Sequence, residues 1–167
     1  TQTFNLVGGT GDDVFLFNSL SNSVAVLNGT VDGSTGNDTI SVTSAGLPQL
    51  ITLTAVSSGL TGFDGPITPS INSPSTFLGI ETLVGGNGSD TLIGRNVDAA
   101  WTVAAIGSYS ETVSGRTLTF SKIENLNGGS GVDTYNISGT QNANLNGGSG
   151  DDVFNFADVA ILNGSLV

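Results

Sequence analysis

A hexad, Gly-x-x-Gly-x-Asp, recurs five times: Gly8-Gly9-Thr10-Gly11-Asp12-Asp13, Gly33-Ser34-Thr35-Gly36-Asn37-Asp38, Gly85-Gly86-Asn87-Gly88-Ser89-Asp90, Gly128-Gly129-Ser130-Gly131-Val132-Asp133 and Gly147-Gly148-Ser149-Gly150-Asp151-Asp152. Glycines at this spacing let the backbone turn through positive φ, and each hexad is followed by β-forming residues such as Val14-Phe15-Leu16-Phe17, Thr39-Ile40-Ser41-Val42 or Thr134-Tyr135-Asn136-Ile137. Turn followed by short strand is therefore the unit of the chain. A longer form, Phe-x-x-Ile-Glu-x-Leu-x-Gly-Gly, spans 77–86 and returns at 120–129 after 43 residues. On a larger scale the opening residues return near the end: Thr1-Gln2 reappears as Thr140-Gln141 and Asp12-Asp13-Val14-Phe15 as Asp151-Asp152-Val153-Phe154, at a constant offset of 139. After a four-residue deletion Val24-Ala25-Val26-Leu27-Asn28-Gly29 matches Val159-Ala160-Ile161-Leu162-Asn163-Gly164, at an offset of 135. The chain reads as one unit, 1–139, followed by the opening of the next, 140–167, as in an excised window of a tandem array.

Two stretches interrupt the rhythm. Residues 59–75 hold Pro66, Pro69 and Pro74 with Gly59, Gly62 and Gly65, and since proline removes a ladder donor this segment is expected to be an irregular insertion. Trp101-Thr102-Val103 and Arg116-Thr117-Leu118-Thr119-Phe120 read as strands flanking a loop, with Trp101 and Phe120 inward and an antiparallel hairpin only around 107–115. No stretch has helical periodicity. The expected fold is all-β, a right-handed parallel β-solenoid forming one segment over 1–167, whose inward residues include Val14, Leu16 or its neighbours, Ile40, Leu92, Tyr135 or Ile137, and Val153.

Composition narrows the chemistry. Lys and Arg total 3 against 14 Asp and Glu, a net charge of -11, which opposes nucleic acid and anionic lipid and favours a cationic partner. The absence of His and Cys removes imidazole-based catalysis, thiol chemistry, disulfides and ordinary zinc sites. No apolar run approaches the roughly 20 residues of a membrane span.

The hexad with its flanks, Gly-Gly-x-Gly-x-Asp-x-U-x where U is large and apolar, resembles the nonapeptide of the repeats-in-toxin (RTX), or hemolysin-type calcium-binding, family. The resemblance implies a calcium-bound parallel β-helix in which loops on adjacent coils share an ion. Calcium takes about six to eight hard oxygens, which carboxylates and loop carbonyls provide. Asp133 and Asp152, 19 residues apart, are close to one coil of two nonapeptides, so the first expected site lies between Gly128 with Asp133 and Gly147 with Asp152. Asp13 and Asp38, 25 apart, imply a coil with a bulge, whereas the spacings of 52 to Asp90 and 43 onward to Asp133 require extra coils or protrusions. Stacked aspartates repel one another, and Arg95, Arg116 and Lys122 are too few to compensate. Plain glycine-aspartate turns without metal remain an alternative at each loop. Glu81 and Glu124 read either as helper ligands or as solvated strand residues; Trp101 and Tyr109 as core or as a platform for sugar rings; Asn125, Asn127, Asn144 and Asn146 as polar turns or as interior amide ladders; Thr39, Thr91 and Thr134 as strand residues or as one ordered row.

The leading functional expectation is a calcium-stabilised structural and adhesive module of a secreted, cell-surface, matrix or filament protein of bacteria, stacking end to end with copies of itself, without catalytic activity and without nucleic-acid or membrane partners. The alternative is a calcium-dependent carbohydrate-binding module beside a secreted enzyme.

Overall fold

The computed structural model describes residues 2–3, 5–17, 27–42, 47–68 and 75–167; Pro69, Pro74 and the Val24–Val26 part of the duplicated segment lie outside them. Every regular element among the described residues is a strand. Gln2–Thr3 with Leu27–Asn28 and Thr140–Gln141 with Ile161–Leu162 form two two-stranded ladders, and the rest form two long sheets whose apolar faces meet. The first runs, in ladder order, Leu6–Thr10, Thr30–Thr35, Thr76–Ile80, Phe63–Thr68, Leu50–Thr52, Thr91–Ile93, Asn125–Asn127 and Asn144–Asn146, with Ala55–Val56 also paired to Phe63–Thr68. The second runs Val14–Phe17, Thr39–Val42, Thr82–Val84, Thr117–Ser121, Gly107–Glu111, Ala99–Val103, Asp133–Ile137 and Val153–Phe156. Over most of its length the chain alternates between them, so each circuit lays one strand on each sheet beside the strand of the circuit before.

The sheets are mixed. Within each long path the neighbours are parallel except around one reversed strand: Phe63–Thr68 in the first sheet, antiparallel to Thr76–Ile80 and Leu50–Thr52, and Gly107–Glu111 in the second, antiparallel to Ala99–Val103 and Thr117–Ser121. The antiparallel signal around 107–115 marks the second, but the loop expected there between two strands is corrected: Gly107–Glu111 is itself a strand, paired on both sides. The first corrects the expectation of an irregular insertion over 59–75, since Phe63–Thr68 is an interior strand despite Pro66. Ile67 N–H donates to the Ser75 carbonyl on the Thr76–Ile80 side, so alternation turns the donor-less Pro66 nitrogen to the other side. There the neighbouring chain bends between Leu50–Thr52 and Ala55–Val56, and Leu53 N–H donates instead to the Ile93 carbonyl. Gly65 is required as well, because a Cβ there would stand 1.9 Å from the Thr52 carbonyl oxygen. The two reversed strands face each other across the core, with Phe63 and Tyr109 edge to face at 5.6 Å.

Burial follows the pleat. Asp133–Ile137 alternates with Asp133, Tyr135 and Ile137 inside, and Ala99–Val103 with Ala99, Trp101 and Val103 inside. Trp101 and Phe120 are core residues as expected, as are Ile40, Leu92, Tyr135 and Ile137. Val14, Leu16 and Val153 face outward, 70%, 60% and 43% exposed. Their neighbours Phe15, Phe17 and Phe154 take the inward places. The motif aspartate itself begins the inward phase, so the inward apolar residue stands two places after it, and shifting the phase by one exchanges the faces. Tyr109, Trp101, Tyr135 and Phe154 form an aromatic column, with Trp101 stacked on Tyr135 at 5.4 Å and Tyr135 on Phe154 at 4.9 Å.

Candidate metal centre

The alternation between sheets creates two edges. Passing from the first sheet to the second, the chain places four hexads, 8–13, 33–38, 128–133 and 147–152, on one edge. The third hexad, 85–90, joins Thr82–Val84 of the second sheet to Thr91–Ile93 of the first and therefore lies on the opposite edge. The five motif aspartates do not form one row. Asp13 and Asp38 are neighbours, Asp133 and Asp152 are neighbours, and Asp90 is apart from both pairs.

Within each pair the loops stack in register. Gly9 pairs with Ser34 and Thr10 with Thr35, while Ser130 bridges Ser149 and Gly131 N–H donates to the Ser149 carbonyl. A carboxylate then caps the circuit before it: Asp13 N–H donates to Asp38 Oδ1 at 2.8 Å, and Asp133 N–H to Asp152 Oδ1 at 2.9 Å. Capping in the opposite direction comes from Asp12, whose Oδ1 accepts Asn37 N–H, and from Asp98, whose Oδ1 accepts Val132 N–H, both at 2.8 Å. Asp98 lies outside every hexad, and only its stacking on 128–133 reveals this role.

The first glycine of each hexad is fixed by the carboxylate that folds over it. A Cβ at Gly128 would stand 2.3 Å from Asp133 Oδ2 and 2.6 Å from the Gly147 carbonyl oxygen; at Gly8 it would stand 2.5 Å from Asp13 Oδ2 and 2.8 Å from the Gly33 carbonyl oxygen. Each pair thus gathers a carboxylate oxygen of one circuit and a glycine carbonyl of the next around a point that a side chain would fill. Asp38 Oδ2 and Asp133 Oδ2 are buried without a hydrogen-bond donor. Burial raises the Asp38 carboxyl above its ordinary range, with the charges of Asp13, Asp12 and Asp32 adding to the effect. Burial pushes Asp133 up to about 6, eased by the Trp101 Nε1–H bond to Asp133 Oδ1 at 3.0 Å and reinforced by the charges of Asp152 and Asp98. Fully buried carboxylates with an unpaired oxygen call for a proton or a cation. An all-oxygen donor set of this kind suits a hard divalent cation.

Asp90 is built differently. Its Oδ1 accepts Gln49 N–H at 2.8 Å and its Oδ2 accepts Gly86 N–H at 2.7 Å, and the loop stands between Leu47–Gln49 and Lys122–Glu124 instead of beside a second hexad. Glu81 and Glu124 are not solvated strand residues: Asp38 N–H donates to Glu81 Oε2 at 2.6 Å and Asp90 N–H to Glu124 Oε2 at 2.9 Å.

The remaining candidates fall into place. Trp101 and Tyr109 are both 0% exposed, which removes them as a platform for sugar rings. Arg95 pairs with the buried Glu111 at 3.0 Å, joined by Tyr109 and Ser114, and Arg116 donates to the Leu60 and Ser57 carbonyls. Asn125 and Asn144 do form an amide ladder, on the exposed surface and not in the interior; Asn127 and Asn146 each accept the N–H of a glycine in their own loop. Thr39 and Thr134 lie in the second sheet and Thr91 in the first, so they share no row; Thr39, Thr82 and Thr119 do.

Residues 27–42, 75–96 and 138–157 match the RTX calcium-binding nonapeptide repeat, in four copies. The matched stretches are RTX repeats and hold the hexads 33–38, 85–90 and 147–152. Repeats of this family bind calcium, and the stacked glycine loops of this chain, with inward carboxylates and unpaired buried oxygens, offer donors of the type that ion takes. No curated protein and no solved structure matches the chain.

Proposed function

We infer that this chain is a calcium-stabilised β-solenoid module of a secreted bacterial surface, matrix or filament protein, with a structural and adhesive role and no catalytic activity. The observation that carries the reading is the pair of stacked carboxylate rows on one edge, in which Asp38 and Asp133 are buried with an oxygen unsatisfied. Calcium held between 8–13 and 33–38, and between 128–133 and 147–152, would neutralise these rows. The ligands would be Asp13, Asp38, Asp133 and Asp152 with carbonyls of the glycine loops, the first glycines Gly128 and Gly147 providing the space. Asp90, whose two oxygens already accept backbone N–H groups, serves better as a cap. Folding would then be coupled to the calcium concentration around the protein, which suits an extracellular location.

The duplicated ends support extension by stacking of further copies, in one chain or between chains. The backbone pair Gln2 with Leu27 recurs at the other end as Gln141 with Leu162, so sequence repetition is repeated as pairing. Of the three basic groups that could recognise an acidic sugar, Arg95 is paired with Glu111 and Arg116 with loop carbonyls, and only Lys122 is exposed, which disfavours the carbohydrate-binding alternative. Calcium removal tests the reading: excess chelator is expected to lower the melting temperature by at least 10 °C, corresponding to roughly 3 kcal/mol or more for a chain of this size. An unchanged melting curve would refute it.

A further inference from the structure

Along the first edge the carboxylate row continues past the hexads. After Asp38 comes Glu81, in the junction between Thr76–Ile80 and Thr82–Val84 and outside every Gly-x-x-Gly-x-Asp motif. It stands to Asp38 as Asp38 stands to Asp13, accepting the backbone N–H of the circuit before. The backbone oxygen recurs too. A Cβ at Gly33 would stand 2.5 Å from Asp38 Oδ2 and 2.4 Å from the Gly79 carbonyl oxygen, so Gly79 occupies the place that Gly33 holds beside Asp13 and Gly147 beside Asp133.

What covers this place is particular to the chain. Loop 57–62, which leads into the reversed strand Phe63–Thr68, closes over it: a Cβ at Gly62 would stand 2.4 Å from Glu81 Oε1 and 2.6 Å from the Ile80 carbonyl oxygen. The Thr61 hydroxyl donates to the Gly36 carbonyl at 2.8 Å, and the Arg116 guanidinium holds the Leu60 and Ser57 carbonyls. Asp38 is 0% and Glu81 8% exposed; Asp38 Oδ2 lacks a hydrogen-bond donor, and the buried Glu81 Oε1 has beside its carboxylate only the Thr61 hydroxyl, which is directed to the Gly36 carbonyl. Asp90 and Glu124, which repeat the same capping bond on the opposite edge, have no such orphaned oxygen.

We propose that Asp38 and Glu81, with the Gly79 carbonyl, hold a divalent hard cation in a site that is half nonapeptide loop and half strand junction, closed by loop 57–62. Two carboxylates neutralise the double charge, and a donor set of oxygens alone favours calcium over zinc or copper. The ion ties the loop of the reversed strand to the RTX edge. The assignment extends the calcium reading of the RTX loops but uses a residue outside them, so the two can fail separately.

Calcium titration calorimetry on the stripped full chain distinguishes them. Glu81→Gln is expected to bind one equivalent fewer than the parent, and Glu124→Gln the same number as the parent. Glutamine retains an oxygen to accept Asp38 N–H, and circular dichroism checks the fold. Should that variant not fold, Glu81→Asp is expected to weaken one equivalent at least tenfold. Full parental stoichiometry and affinity in the folded Glu81 variant overturns the site, as does a parent that binds no calcium. If Glu81→Gln loses an equivalent while Asp152→Asn loses none, this site stands and the 128–152 loop site falls; the converse overturns this site alone.

Discussion

Asp133 shows how one residue joins fold and ligand. It begins the inward phase of its strand, donates its N–H to Asp152 Oδ1 and accepts Trp101 Nε1–H, yet keeps one buried oxygen unpaired. Burial raises its carboxyl to about 6, so between about pH 4 and 6 the folded chain holds more protons than the unfolded one. Stability of the calcium-free protein should therefore fall as pH rises through that window, the reverse of a salt-bridged aspartate. Calorimetry in chelator is expected to give a melting temperature several degrees higher at pH 4.5 than at pH 7.5. In saturating calcium the difference should shrink or invert, because the ion favours the charged form. A chelated protein that grows more stable towards pH 7.5 would contradict the role given to these carboxylates. The motif spelled out the aspartate and its glycines. It did not show that Glu81 and Glu124 cap the preceding aspartates, because their partners lie 43 and 34 residues away.

At the scale of elements, the reversed strands are the departure from simple coiling. A helical repeat alone would leave the middle of the stack to the circuits on either side; here Phe63–Thr68 and Gly107–Glu111 fill it and bring Phe63, Tyr109 and Trp101 together. This aromatic group should carry much of the core energy. Trp101→Ala, which removes a fully buried side chain touching Tyr109, Phe120 and Tyr135, is expected to destabilise the protein by about 3–5 kcal/mol. Urea unfolding in saturating calcium measures it, and a loss below about 1 kcal/mol would show that the column is not the centre of the core. Proline count misdirected the reading of 59–75, since one proline is tolerated in an interior strand where its missing donor faces a bend in the neighbouring chain.

Over the whole molecule, stability should propagate between neighbouring circuits and fade with distance, as in other linear repeat arrays. Asp152→Asn removes charge at one end of the stack. Hydrogen exchange is expected to accelerate in Asp133–Ile137 and Val153–Phe156 while Thr30–Thr35 and Thr39–Val42 keep their protection. Equal loss of protection throughout would mean a single cooperative core. Among the described residues Leu6–Thr10 with Val14–Phe17 at one end and Val153–Phe156 at the other present open ladder edges on which further circuits could add, whereas Asn144–Asn146 is covered by 165–167, with Leu145 N–H donating to the Ser165 carbonyl and Val167 N–H to the Leu145 carbonyl.

The sequence by itself determined the local chemistry: where the chain turns, that short strands follow, that Asp133 and Asp152 lie one circuit apart, and that the donors are oxygen. These follow from glycine geometry, period-two alternation and spacing, all of which act over a few residues or at a regular repeat. Tertiary structure decided what depends on phase and on the count of half-circuits. It sent Asp90 to the opposite edge because 85–90 joins the sheets in the reverse sense, turned Val14 and Val153 outward because Asp13 and Asp152 take the inward phase, and placed Glu81 beside Asp38. Each outcome rests on which strands become neighbours, and the two reversed strands change that neighbourhood in a way no hexad records.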